Sequence, residues 1–132
     1  MIEVMAELKP IGELFKLGEY EKALVVLDAL WSKIPEPKND TKNSYRIVAQ
    51  GALIGLKANK LDKAWEWALR GLPYSGNFNL IGESEFLVGR VAFARGDFEN
   101  AKKYFYLTYK NSGKRQFKDE DPRYLQLIKE TR

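Results

Sequence analysis

The sequence predicts an all-α fold, a helical-repeat solenoid of about three antiparallel helix pairs plus a C-terminal capping helix. Three observations lead there. Apolar residues recur at spacings of three and four along most of the 132 residues, and no stretch reads as a strand. One short pattern occurs three times: Gly18, Tyr20, Ala23, Leu27, Leu30 and Pro35; Asn59, Leu61, Ala64, Ala68 and Gly71; Gly96, Phe98, Ala101, Phe105, Thr108 and Gly113. Between the copies lie 35–43 and 73–79, rich in Pro, Gly, Asn and Ser, which read as loops joining the units.

Each copy begins with a turn residue, places a large apolar residue two positions later and Ala three beyond that, and adds a further packing residue after four more. The turn residue ends one helix, the large residue covers the joint, and Ala lets the neighbouring helix come close. Small and large residues alternating along one face suit antiparallel helices whose axes lie about 8–10 Å apart. The Ala anchors at 23, 64 and 101 are 41 and 37 residues apart, and the loops absorb the difference.

The first helix is expected over 2–16, with Pro10 either kinking it or marking its true start. The second, 20–33, carries Ala23, Leu27 and Leu30 on one face. The third, 44–57, presents Val48, Ala49, Ala52, Leu53 and Leu56, and the fourth spans 61–72. The fifth, 80–94, presents Phe86, Val88, Gly89, Ala92 and Phe93, and the sixth runs 98–111. Gly51 and Gly89 sit mid-helix, where Gly costs about 1 kcal/mol relative to Ala; close contact with a neighbouring helix is the expected compensation. The last helix, 122–130, follows Asp119, Glu120 and Asp121, with negative charge at its positive end and Pro122 in its first turn. Tyr124, Leu125, Leu127 and Ile128 are placed to cover the apolar face that a terminal repeat would otherwise leave in water. The chain is expected to be one domain, 1–132, with units at 2–35, 44–72 and 80–113.

Composition narrows the chemistry. With 45% hydrophobic and 30% charged residues, a chain of this length can bury a core without a disulfide or metal staple. Cys and His are both absent, which removes thiol nucleophiles, the Ser-His pair, imidazole acid-base catalysis and metal, haem or cluster ligation by either residue. The remaining acid-base candidates are Glu83 with Glu85, Asp97 with Glu99, and the run from Asp119 to Asp121. The first two point different ways on a helix, the second pair sits at a helix start, and the third caps the last helix. There is no phosphate-cradling Gly loop, nucleophile elbow or metal-loop spacing. The chain is expected to be no enzyme, with no catalytic residue, no cofactor and no metal. The N-terminus lacks a basic n-region and an apolar h-region, and no apolar run reaches the 18 or so residues of a membrane span, so a cytoplasmic location without membrane contact is expected.

The segment 86–101, with Phe86, Gly89, Ala92, Gly96, Phe98 and Ala101, resembles the tetratricopeptide repeat family, whose unit is a helix-turn-helix of 34 residues. Leu17, Gly18, Tyr20 and Ala23 through Pro35 resemble the second half of such a unit. The resemblance extends over 8–113, and its second unit has Asn59 and Leu61 where the family has Gly and an aromatic residue. It implies a protein-binding module in which the first helix of each pair lines a concave surface. That nominates Leu8, Gly12 and Phe15, then Arg46, Ala49, Gln50, Leu53 and Lys57, then Glu83, Phe86, Arg90 and Phe93. The partner-binding set is taken as Arg46, Gln50, Leu53, Lys57, Glu83, Phe86, Arg90 and Phe93, with Arg and aromatic residues as the expected hot spots. The family's carboxylate-gripping pattern is missing, because the matching places hold Leu8, Gly12, Gln50, Glu83 and Leu87.

The tail 113–125 is similar to the endings of small bacterial tetratricopeptide-like immunity proteins, made of repeats alone with no attached catalytic domain. This implies a protein partner, specifically a toxin domain that the chain neutralises. Two alternatives stand beside it. One is an adaptor that holds a peptide or helix in the groove. The other is an RNA-binding repeat. The net charge of +4 is uneven, −1 over 1–50, 0 over 51–100 and +5 over 101–132. Lys102, Lys103, Lys110, Lys114, Arg115 and Lys118 alternate with Tyr104, Tyr106, Tyr109 and Phe117, as phosphate contacts and base stacking require. Nucleic acid remains the weaker expectation, since Phe105 belongs to the repeat core and the lysines suit a solvated helix face.

Overall fold

A computed structural model describes residues 4–34, 41–74 and 82–129. Among the described residues the chain forms seven α-helices and no strand: α1 (Val4–Lys16), α2 (Tyr20–Lys33), α3 (Thr41–Lys57), α4 (Leu61–Arg70), α5 (Glu83–Ala94), α6 (Phe98–Ser112) and α7 (Pro122–Lys129). Two 3-10 turns, Leu72–Tyr74 and Arg115–Phe117, complete it. The expected all-α class is thus observed. α3 starts at Thr41 rather than 44, and α4 stops at Arg70, where Gly71 and Pro73 divert the chain into the first 3-10 turn. The second 3-10 turn was not expected. Positions 2, 3, 80, 81 and 130 of the expected helices lie outside the described residues.

Of the two readings of Pro10, a kink in the first helix or its true start, the second is corrected: α1 runs through Pro10 from Val4 to Lys16. Pro10 is itself exposed.

The three pattern copies share one backbone geometry. Gly18, Asn59 and Gly96 have φ of 77°, 57° and 77°, the left-handed region. At each, the turn residue's N–H donates to the carbonyl three residues back, and the next N–H donates to the carbonyl five residues back: Glu19 to Leu14 at 2.9 Å, Lys60 to Gly55 at 2.8 Å and Asp97 to Ala92 at 2.9 Å. This is the Schellman ending, which pairs otherwise orphaned carbonyls and favours Gly or Asn at its left-handed residue. In each copy the anchor Ala then donates to the residue before the new helix, Ala23 to Glu19, Ala64 to Lys60 and Ala101 to Asp97, all at 3.0 Å.

Each helix packs on the next in sequence, most extensively α3 on α4 and α5 on α6. Two mid-helix glycines make these contacts possible. A methyl on Gly51 would lie 2.3 Å from Cδ2 of Trp67, and one on Gly89 would lie 2.6 Å from Cδ1 of Phe105. Gly55 does the same against the Ala64 backbone at 2.8 Å.

The core has two parts. One joins α1 to α5 around Ile11, Leu27, Leu30, Ile47, Ile54, Trp67 and Val88. The other gathers Phe86, Phe105, Phe117 and Ile128 under α7, with Tyr124 against three of the rings: its centroid is 4.6 Å from Phe105, 5.1 Å from Phe93 and 5.9 Å from Phe86. Offset and edge contacts of this kind add to the area effect. α7 therefore covers the last α5–α6 contact, as its apolar residues suggested.

Polar side chains join α4 to α2. Lys60 pairs with Glu21 at 2.9 Å and Arg70 with Asp28 at 3.6 Å, while the Arg70 guanidinium lies 4.2 Å from the Trp67 ring centre. Exposed pairs contribute little each; the Arg70 stack, on a ring that is itself buried, contributes more. Among the described residues no helix is long and apolar enough to cross a membrane.

Candidate functional site

Five of the nominated residues come together. Leu8 of α1 and Arg46, Ala49, Gln50 and Leu53 of α3 line a concavity of about 270 Å3. The α3 members share a helix face because they recur at three and four. The opposite face of α3 carries Ile47, Val48, Ala52 and Ile54, which are buried, and so the concave side is turned outward. Leu53 is 38% exposed, an aliphatic side chain held at the surface by a rigid helix. Gln50 is half-buried beside it and Arg46 is exposed. The floor is small because Ala49 is small. Lys57, one turn beyond Leu53, is exposed and does not line the concavity.

The nominated residues of α5 divide. Phe86 is 6% exposed and packs against Phe105, Phe117 and Tyr124. It is a core residue, which corrects its expected place at the partner surface. The helical spacing that put it beside Arg90 is right, but α7 folds over that part of α5 and encloses it. Phe93 is half-buried between Phe98 and Tyr124, at 5.2 and 5.1 Å between ring centres, with the Arg123 guanidinium 5.0 Å from its own ring centre. Arg90 pairs loosely with Glu120 at 3.9 Å, and its side chain is 30% exposed. Arg90 and Phe93 therefore form a separate patch with the start of α7, apart from the α1–α3 concavity.

Glu83 is half-buried, whereas Glu85 is 8% exposed and accepts hydrogen bonds from the Ser84 hydroxyl at 2.9 Å and the Asn111 amide at 3.3 Å. Burial, with the Glu83 and Glu85 carboxylates behind it, pushes the Tyr45 phenol up well above its ordinary value, against the opposing pull of Arg90. Tyr45 stays neutral at physiological pH. This polar knot between α3, α5 and α6 was missed in sequence; a Glu–Ser–Glu run at a helix start was its only visible trace.

Two other candidate carboxylates, Asp97 and Asp121, serve helix starts. Asp97 accepts the Asn100 backbone N–H at 3.2 Å, and Asp121 accepts that of Arg123 at 2.9 Å. The Asn100 side chain holds the Asp97 carboxyl below the usual range, and Arg123 does the same for Asp121. Among the described residues no group of three or more acidic side chains stands close enough to hold a metal ion.

The basic residues lie on α6 and around the second 3-10 turn. Lys103 and Lys110 lie on the exposed side of α6 with Tyr106, which is 52% exposed, and Lys102 is half-buried. Lys114, Arg115 and Lys118 are exposed around the second 3-10 turn. Of the aromatic residues between them, Phe117 is buried and Tyr104 packs on the core, with Lys103 over its ring at 5.3 Å. Tyr106 is the one exposed ring among those named, so the stacking surface expected for single-stranded RNA is reduced to a single platform.

Comparison with protein-family models, curated proteins and solved structures finds no match.

Proposed function

We propose that the chain is a non-catalytic protein-binding module of the tetratricopeptide repeat type, a solenoid of three antiparallel helix pairs, α1–α2, α3–α4 and α5–α6, capped by α7. The recurring Schellman turns at Gly18, Asn59 and Gly96 support the repeat. So does the order of the α2–α4 contacts. Glu21 meets Lys60 and the later Asp28 meets Arg70, so the second helices of adjoining units run in the same direction, as stacked repeats require.

The single observation that carries the binding role is the α1–α3 concavity, where Leu53 offers an aliphatic contact beside the amide of Gln50 and the charge of Arg46. A small apolar floor rimmed by directed polar groups is how interface hot spots are built. We propose that the partner is a toxin domain, and that the chain acts in the cytoplasm as an immunity protein by covering a surface that the toxin needs. A peptide or helix held in the same concavity by an adaptor is the alternative.

The test is capture of tagged wild-type and Leu53→Asp chains side by side, with nuclease and elevated salt. The proposal expects one near-stoichiometric protein on the wild type, lost from Leu53→Asp, that stops growth when expressed alone. A captured peptide-bearing protein that is harmless alone points to the adaptor. Binding that disappears with nuclease, falls steeply with salt and follows Lys103 and Lys110 overturns both in favour of RNA.

A further inference from the structure

We infer that the outer face of α6, with the 3-10 turn that follows it, is a second protein-docking surface, one that takes an acidic surface of its partner. Between positions 102 and 118 the chain carries Lys102, Lys103, Lys110, Lys114, Arg115 and Lys118 and no acidic residue. Elsewhere surface cations are matched by carboxylates: Lys22 by Glu19, Lys60 by Glu21, Lys63 by Glu66, Arg70 by Asp28 and Arg95 by Asp62. Among the described residues, the lysines at 102, 103, 110, 114 and 118 form no such pair. Helix stability does not account for all of them. Lys110 and Lys114 stand at the end of α6, where the helix dipole favours positive charge, but Lys102 and Lys103 lie in its first half, where it does not. None of these residues lines the α1–α3 concavity, so the two surfaces are separate.

Charge and a single ring select the occupant. α6 buries Ala101, Phe105 and Thr108, and Tyr106 stands away from them, 52% exposed. At 3.6 residues per turn, Lys102, Lys103 and Lys110 fall within about 60° of Tyr106 around the helix. An exposed ring flanked by cations has the form of a protein interface, with an aromatic centre and a charged rim. Unpaired cations call for carboxylates opposite them. Single-stranded nucleic acid stacks on several rings, and this face offers one. A bilayer takes up inserted apolar side chains as well as charge. Of the other large apolar side chains that stand exposed, Leu17, Val25, Val26 and Leu53 belong to the first two units, and Phe98 turns toward Phe93 at 5.2 Å between ring centres. Glu99 is exposed at the start of α6, on the same side as Lys103 and Lys110, and bounds the basic face there. A polyanion running the length of the helix would meet Glu99. A compact acidic patch, set against the stretch of about 12 Å from Lys102 to Lys110 and the turn beyond it, would not.

The test is fluorescence anisotropy of the full chain with a labelled acidic peptide, Glu with Leu at every fourth position, beside oligouridylate of equal length and phosphatidylglycerol vesicles. Far-UV circular dichroism verifies the folding of each variant. At low salt the peptide is expected to bind with a dissociation constant below about 100 μM, and raising the ionic strength to about 0.15 M should weaken it severalfold. Lys103→Glu combined with Lys110→Glu should weaken it by about tenfold or more, and Tyr106→Ala by about fivefold. If the double reversal does not fold, Lys103→Gln with Lys110→Gln takes its place. Lys9→Glu, at an exposed lysine of α1, and Leu53→Asp, in the concavity, should leave the affinity unchanged. Oligouridylate or vesicles bound more tightly than the peptide overturn the inference and give this face to RNA or to a membrane. Binding indifferent to Tyr106→Ala also overturns it, since charge alone would then be at work. A peptide lost with Leu53→Asp but not with the α6 variants lies in the concavity, which overturns this inference and leaves the concavity's binding role standing. A peptide that does not bind at low salt overturns it outright.

Discussion

The indole of Trp67 occupies the space in which a side chain on Gly51 would stand, with Cδ2 only 2.3 Å from where a methyl would be. Trp67 is 1% exposed, meets Trp31 edge-on at 5.9 Å and lies under the Arg70 guanidinium, so it has nowhere to retreat. Gly51→Ala is therefore expected to destabilise the fold. The gain in helix propensity, about 1 kcal/mol, is outweighed by overpacking of about 1–3 kcal/mol. Gly12 in α1 is the control, since a methyl there meets nothing within 4 Å. Gly12→Ala should stabilise by about 0.5–1 kcal/mol. Urea unfolding of the two variants should thus give shifts of opposite sign.

Asn59 holds the left-handed position that Gly18 and Gly96 hold in the other two turns. Asn tolerates that conformation better than most residues but not as well as Gly. Asn59→Gly is expected to be neutral or slightly stabilising, and Asn59→Ala to cost about 1–2 kcal/mol. If thermal melts show both variants equally destabilised, the side-chain amide rather than the backbone angle is what matters at this turn.

Much of this was legible because it is local. Gly18, Asn59 and Gly96 announce the turns, and the Ala anchors that follow them announce the helices, since both act through the backbone of a few consecutive residues. The mid-helix placement of Gly51 and Gly89 was likewise enough to predict close contacts, although not the rings that fill them. The α3 side of the concavity was legible too, because Arg46, Ala49, Gln50 and Leu53 follow from one helical period. What escaped depends on how distant elements meet. Phe86 has the period of a surface residue, and only the return of α7, with Tyr124, encloses it. Pro10 left two readings open, a helix interior or a helix start, because its tolerance inside a helix depends on packing that local sequence does not carry. Val25 and Val26 fall off the face defined by Ala23, Leu27 and Leu30, and that departure was the visible sign of the exposed side of α2.

Asp97 caps α6 with its carboxylate, and the Asn100 side-chain and backbone hydrogen bonds hold its carboxyl below the ordinary value, with a smaller contribution from Arg95. A depressed folded-state pKa favours the fold above the unfolded-state pKa, and the advantage is lost as pH falls through the folded value. The window opens at about pH 4, near the usual aspartate pKa, and extends downward. Asp97→Asn, which still caps but does not titrate, should flatten that part of the acid unfolding profile while changing stability at neutral pH little. Asp97→Ala should lower the melting temperature at neutral pH as well. An Asn variant with an unchanged acid slope would place the acid sensitivity elsewhere, with Asp121 the next carboxylate to test.

Leu53 and Phe86 were nominated together, and the structure gives them opposite roles that one pair of substitutions separates. Phe86 fills space among Phe105, Phe117 and Tyr124, so Phe86→Ala leaves a cavity and should cost about 3–5 kcal/mol of stability. Leu53 leaves 38% of its surface in water at the mouth of the α1–α3 concavity. Leu53→Asp should therefore shift stability only modestly, while reducing affinity for a captured partner by about tenfold or more, since the charge would be buried unpaired at the contact. Arg46→Glu, exposed on the same face, should slow association and alter its salt dependence more than it changes dissociation. Calorimetry on the free chains and surface-plasmon measurements on the complex distinguish these outcomes. A Leu53→Asp chain that melts like the wild type and binds like it would remove the concavity from the interface, leaving the Arg90–Phe93 patch beside α7 as the surface to substitute next.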